Sequence, residues 1–106
     1  VTDLQLSARE ALELATRGGA AVLGRNDIGS LQPGNCADFF AISMDRVAFA
    51  GALHDPVAAA LLCAPQQADW VMVNGNIVVE DGHLTNIDLP GVLESHNKIA
   101  ADMFVA

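Results

Sequence analysis

A chain of 106 residues holds one domain or part of one, which leaves no room for a second independent core. Thirteen acidic residues against five basic ones give a formal charge of -8, and the basic residues are scattered as Arg9, Arg17, Arg25, Arg46 and Lys98; with no basic patch to neutralise phosphates, nucleic acid is excluded as a partner. Hydrophobic residues make up 52% of the chain and the mean hydropathy is +0.34, high for a small chain with so much surface per volume, so much of the apolar surface needs a neighbour, either an identical subunit or the rest of a longer polypeptide.

The first element is a helix that opens at Ser7-Ala8-Arg9-Glu10. In this S-x-x-E capping box each side chain satisfies the other residue's free backbone N–H, with Leu6 and Ala11 placed as a hydrophobic staple. Ala8, Ala11, Leu12 and Ala15 recur at helical spacing, and Arg17-Gly18 suits a C-terminus. Gly19 to Gly24 is small and apolar, and reads as a short second helical turn closed by Gly24. Turn formers then punctuate Ile28-Gly29-Ser30-Leu31-Gln32-Pro33-Gly34, and Phe39-Phe40-Ala41-Ile42 reads as a short buried strand. Val47 to Ala50 reads as another extended piece.

Asp55 followed by Pro56 is an N-cap with proline at the first helical position, so an apolar helix is expected from Val57 to about Cys63, ended by Pro65. Trp70-Val71-Met72-Val73 and Asn76-Ile77-Val78-Val79 flank Asn74-Gly75, a dipeptide that tolerates the positive φ angles of a type I′ turn. This predicts a β-hairpin over 70–79. Asp81-Gly82 supplies a further turn, with His83-Leu84-Thr85 as a third strand. Asp88 caps a closing helix with Pro90 in its first turn, and Leu89, Val92 or Leu93, His96, Ile99 or Ala100, and Met103 form one stripe that must dock on something.

No apolar run approaches the roughly 20 residues of a membrane span, and no basic-then-apolar leader is visible, so a cytoplasmic location without a membrane partner is expected. Val1 stands where an initiator Met would be, which favours a fragment or a processed product. Cys36 and Cys63 lie far apart among small or apolar neighbours, the setting of two reduced, partly buried thiols rather than a disulfide.

Catalytic machinery is hard to find. His54, His83 and His96 are the only histidines, and no two stand at the spacing of an H-x-H pair or an H-E-x-x-H helix. His54-Asp55 and Asp81-Gly82-His83 each set a carboxylate beside an imidazole, a pairing that can serve a metal or orient a base. The plainer reading makes Asp55 a cap, Asp81 a turn residue and the imidazoles ordinary hydrogen-bonding groups, with His96 a packing residue. Cys63 falls at a helix C-terminus, where the dipole disfavours a thiolate. The glycines form neither G-x-G-x-x-G nor a Walker loop, and Ser30 lacks the G-x-S-x-G setting of a hydrolase elbow.

Two blocks, Gly19-Ala20-Ala21-Val22-Leu23-Gly24 with Ile28-Gly29-Ser30-Leu31-x-Pro33-Gly34-x-x-Ala37-Asp38, and Ala68 to Gly82 around the hairpin, resemble the C-terminal part of amidohydrolase-superfamily enzymes. Within that superfamily, Phe49-Ala50-Gly51-Ala52-x-His54-Asp55-Pro56-Val57-Ala58-Ala59 and Leu84-Thr85-x-x-Asp88-Leu89 with Glu94-x-His96-Asn97 are similar to 8-oxoguanine deaminases, with hydroxyatrazine-type aminohydrolases as close relatives. Asn35 departs from the family pattern, which carries a lysine there. The resemblance implies an α+β fragment: terminal helices of a (β/α)8 TIM barrel in 1–24, strands of a small composite β-sandwich domain in 25–87, and a C-terminal amphipathic helix in 88–106. It also implies a divalent metal, zinc, held in the parent enzyme by barrel residues that precede this segment, whose bound water attacks the ring carbon bearing an amino group. No catalytic or metal-binding residue carries over onto this chain, so the segment alone is expected to be inactive, with the remainder of the barrel and a homo-oligomer as its partners. The competing expectation is an autonomous, non-enzymatic interaction module that dimerises through the Val92 to Met103 stripe. A small enzyme built on His54, His83 and their carboxylates is a third.

Overall fold

The structure is a computed structural model that describes residues 5–63 and 67–105. The capping box forms as expected: the Ser7 Oγ accepts from the Glu10 N–H at 3.2 Å, and the Glu10 carboxylate accepts from the Ser7 N–H at 2.8 Å. That second bond holds the Glu10 carboxyl below its ordinary range, because the backbone N–H favours the charged form. Helix α1 spans Ala8–Glu13. It does not stop at Gly18. A π-helical turn over Leu14–Gly18 carries it directly into α2, Gly19–Val22. Gly18 and Gly19 take ordinary helical φ values of -61° and -60°, since glycine permits a left-handed stop but does not impose one.

The real terminus is Gly24, at φ +68°. The Gly24 N–H donates to the Ala21 carbonyl and the Arg25 N–H to the Ala20 carbonyl, both at 3.0 Å. This is the Schellman pair of bonds that satisfies a helix's last carbonyls.

Strand β1 is Phe39–Ala41, β2 Trp70–Val73, β3 Asn76–Glu80 and β4 His83–Leu84. They form one four-stranded antiparallel sheet in the order β1-β2-β3-β4. Asn74 and Gly75 have φ values of 49° and 78°, the left-handed pair a type I′ turn requires, and Asp81 and Gly82 repeat the device at 48° and 79°. A bulge between Val71 and Met72 interrupts the β2–β3 register. The hairpin tip is tied back to the segment before β1: the Asn74 N–H donates to Asp38 Oδ1 at 2.6 Å, and the Gly75 N–H to the Ala37 carbonyl at 3.1 Å.

Helix α3, Pro56–Leu62, is capped by the Asp55 carboxylate, which accepts from the Ala58 N–H at 3.1 Å. It packs against α1. Helix α4, Leu89–Met103, is capped in the same way by Asp88. The expected stop at Pro65 lies outside the described residues, although α3 is already over at Cys63. Val47–Phe49 is a 3-10 turn, not the extended piece expected over Val47 to Ala50. Phe49 is wholly buried and Gly51, at φ +82°, reverses the chain just after it, so the local path follows the anchoring of one ring.

Strand β1 also departs from expectation, because all three of its residues are exposed. Among the described residues only Ala20, Phe49 and Ala59 are buried apolar side chains. The radius of gyration is 18.2 Å, against about 13 Å for a compact domain of this length. The accessible surface is 8383 Å², where a compact protein of this mass exposes roughly 5,650 Å².

Candidate functional site

The dominant surface feature is a pair of adjoining apolar hollows between the first helices, the loop after them, β1 and α3. One, of ≈ 510 Å³, is lined chiefly by Leu12, Ala20, Leu23, Ile28, Leu31, Phe39 and Phe40, with Thr16, Ser30 and Asp38 as its polar members. The other, of ≈ 360 Å³, is lined by Leu12, Phe40, Ile42, Met44, Pro56, Val57, Ala60 and Leu61, without one charged side chain. Leu12 and Phe40 belong to both. Phe40 is 58% exposed and Leu23 70%, so these hollows open outward as a continuous greasy face. Contiguous apolar patches of this kind are uncommon on monomeric soluble proteins and go with interaction surfaces or ligand grooves.

Gly29 shapes the rim of that face. Its φ is +84°, and a Cβ there would stand 2.9 Å from both the Ala20 Cβ and the Thr16 carbonyl oxygen. Only glycine lets the loop lie this close on the helix. The loop is closed further along, where the Asn35 side-chain amide donates to the Ser30 carbonyl at 3.1 Å and to its Oγ at 3.0 Å. Ser30 is thus a loop-closing residue, and Asn35, the departure from the family pattern, has a local role of its own.

A polar clasp holds the base of the same loop. Arg25 grips Asp27 through two parallel bonds, Nε to Oδ1 at 2.9 Å and Nη2 to Oδ2 at 2.8 Å. Cys36 closes onto it, its backbone N–H donating to the Asp27 carbonyl at 2.8 Å and its thiol to Asp27 Oδ2 at 3.2 Å. Arg25 holds the Asp27 carboxyl well down, to about 2, with the Cys36 thiol adding to the effect. The same thiol–carboxylate bond raises the Cys36 thiol above its ordinary value, because ionisation would break the bond beside a negative charge. Cys36 is therefore a proton donor and a poor nucleophile. A second clasp joins Arg46 to Asp69 by a short ion pair, while the other Asp69 oxygen accepts from the Ser43 N–H at 2.6 Å.

The clasp gives a pH prediction. A carboxyl whose folded pKa lies below its unfolded value of 3.8 contributes stability that is complete above about 4 and is lost as pH falls through about 2. Asp27 is expected to titrate near 2 by carboxyl-carbon NMR, and R25A to move the midpoint up toward the ordinary carboxylate range. An unchanged midpoint in R25A would show that the clasp does not set it.

The titratable groups singled out in the sequence stay dispersed. Asp55 is the α3 cap and lies 4.0 Å from Arg9. The His83 ring meets the Asp81 backbone carbonyl, Nδ1 to O at 2.9 Å, and not its carboxylate. His54 and Cys63 line a small hollow at the end of α3 with Ala59 and Leu62, and His96 is exposed on α4. Cys36 and Cys63 are both free and half-buried. Among the described residues no group of three His, Cys, Asp or Glu side chains could hold a metal ion. No described helix is long and apolar enough to cross a membrane.

The two clasps escaped sequence reasoning. Arg25 and Asp27, of opposite charge across one residue in a loop, gave a weak signal. The part of Cys36 gave none, since it depends on the loop folding back.

The arrangement of helices and antiparallel sheet is shared with a hydrolase of known structure that was crystallised with zinc. Atrazine chlorohydrolase from Arthrobacter aurescens TC1, complexed with zinc, superposes with a TM-score of 0.82 at 37% identity, covering 88% of this chain and 20% of that one. The chain belongs to the amidohydrolase family, whose profile matches residues 2–80. Among curated relatives, 8-oxoguanine deaminase of Pseudomonas aeruginosa is 46% identical over 91 residues, 86% of this chain and 20% of the relative. Hydroxydechloroatrazine ethylaminohydrolase of Pseudomonas sp. strain ADP is 38% identical over 78 residues, 73% of this chain and 16% of the relative. The chain thus spans a fifth or less of the length of these relatives, and the family expected from the two sequence blocks is the family found.

Proposed function

We propose that this chain is the C-terminal, non-catalytic segment of a metal-dependent amidohydrolase that hydrolytically deaminates a purine-like or triazine-like ring, with 8-oxoguanine as the leading substrate and ammonia as a product. The observation that carries this reading is a pairing: 46% identity to a deaminase of which the chain spans only 20%, and an apolar face left open on the chain itself.

On this reading residues 1–24 are the last helices of the barrel domain, 25–87 belong to a small composite β domain, and 88–106 form a closing helix. The metal is zinc, as in the atrazine chlorohydrolase structure, and its ligands lie in the part of the parent enzyme outside this chain. When bound, it supplies an activated water for attack on the ring carbon. The work of this chain's own residues is to cover and brace. Leu12, Phe40, Val57 and Leu61 seat against the parent's body, while the Gly29 contact and the Arg25–Asp27–Cys36 clasp hold the loop between them. The parent enzyme is read as a cytoplasmic homo-oligomer.

Ammonia release from 8-oxoguanine, guanine, cytosine and hydroxyatrazine, assayed with this chain and with the full reading frame that encodes it, tests the proposal. Turnover is expected from the full frame alone, with 8-oxoguanine preferred. Turnover by the 106-residue chain would overturn the non-catalytic assignment, and a preference for another ring would overturn the substrate.

A further inference from the structure

We draw no further inference here: the strongest candidate, the exposed apolar stripe of helix α4 from Leu89 through Val92, Leu93 and Ile99 to Met103, carries nothing because no charge complementarity, contact or continuity in the structure shows what covers it.

Discussion

Produced alone, the 106-residue chain is expected to sediment as associated species and to unfold without a sharp transition. Its surface exceeds that of a compact protein of its mass by roughly 2,700 Å², although a standard complex buries only about 800 Å² on each partner. An excess of this size matches what an obligate interface removes from one side. Phe40, Leu23, Leu62 and Met103 are more than half exposed, and each such side chain forgoes about 1.5–3 kcal/mol of burial when left in water. With Ala20, Phe49 and Ala59 as the buried apolar residues among those described, the isolated chain lacks the core to offset its conformational entropy. Sedimentation velocity and thermal unfolding check this together. A single monomeric boundary with cooperative melting would show that the open face needs no cover.

Replacing Gly29 by alanine in the intact polypeptide is expected to cost about 2–5 kcal/mol. The left-handed backbone accounts for about 1–2 kcal/mol of this. The remainder is overpacking, since the new methyl would stand 2.9 Å from the Thr16 carbonyl oxygen and the Ala20 Cβ, and forced contacts of this sort typically cost 1–3 kcal/mol. Gly34→Ala separates the two contributions. Gly34 has a φ of +94° but nothing within 4 Å of its added Cβ, so it reports backbone strain alone. Denaturant midpoints of the two variants should differ, with Gly29→Ala the lower. Equal midpoints would mean that the loop lifts off the helix at little cost, and the close contact would lose its significance.

Features governed by chemistry within a few residues were legible in the sequence. Ser7, Asp55 and Asp88 cap the helices they were assigned, because a side chain that bonds a nearby N–H needs no distant partner. Asn74-Gly75 forms its turn for the same reason. Where tertiary packing decides, the reading failed: Gly18 continues a helix it looked set to end, and Val47–Phe49 curls around a buried phenylalanine. Strand β1 shows the limit most clearly. Phe39-Phe40-Ala41 has the composition of a buried strand, yet all three residues are exposed, because composition does not say whether anything in the chain packs over a strand. The candidate face was legible as an apolar excess, but its location was not, since Leu12, Phe40 and Leu61 meet only once α1, β1 and α3 have assembled.

The anchoring of the hairpin tip has a kinetic consequence. Reverse turns ordinarily surrender their amide hydrogens to solvent early, yet Asn74 and Gly75 have theirs committed to Asp38 and Ala37. Deuterium uptake at these two positions should be slow for a turn, as it should at Gly82, whose N–H donates to the Asp69 carbonyl at 2.9 Å, and release of Asn74 and Gly75 alone would report that the stretch leading into β1 has come unseated.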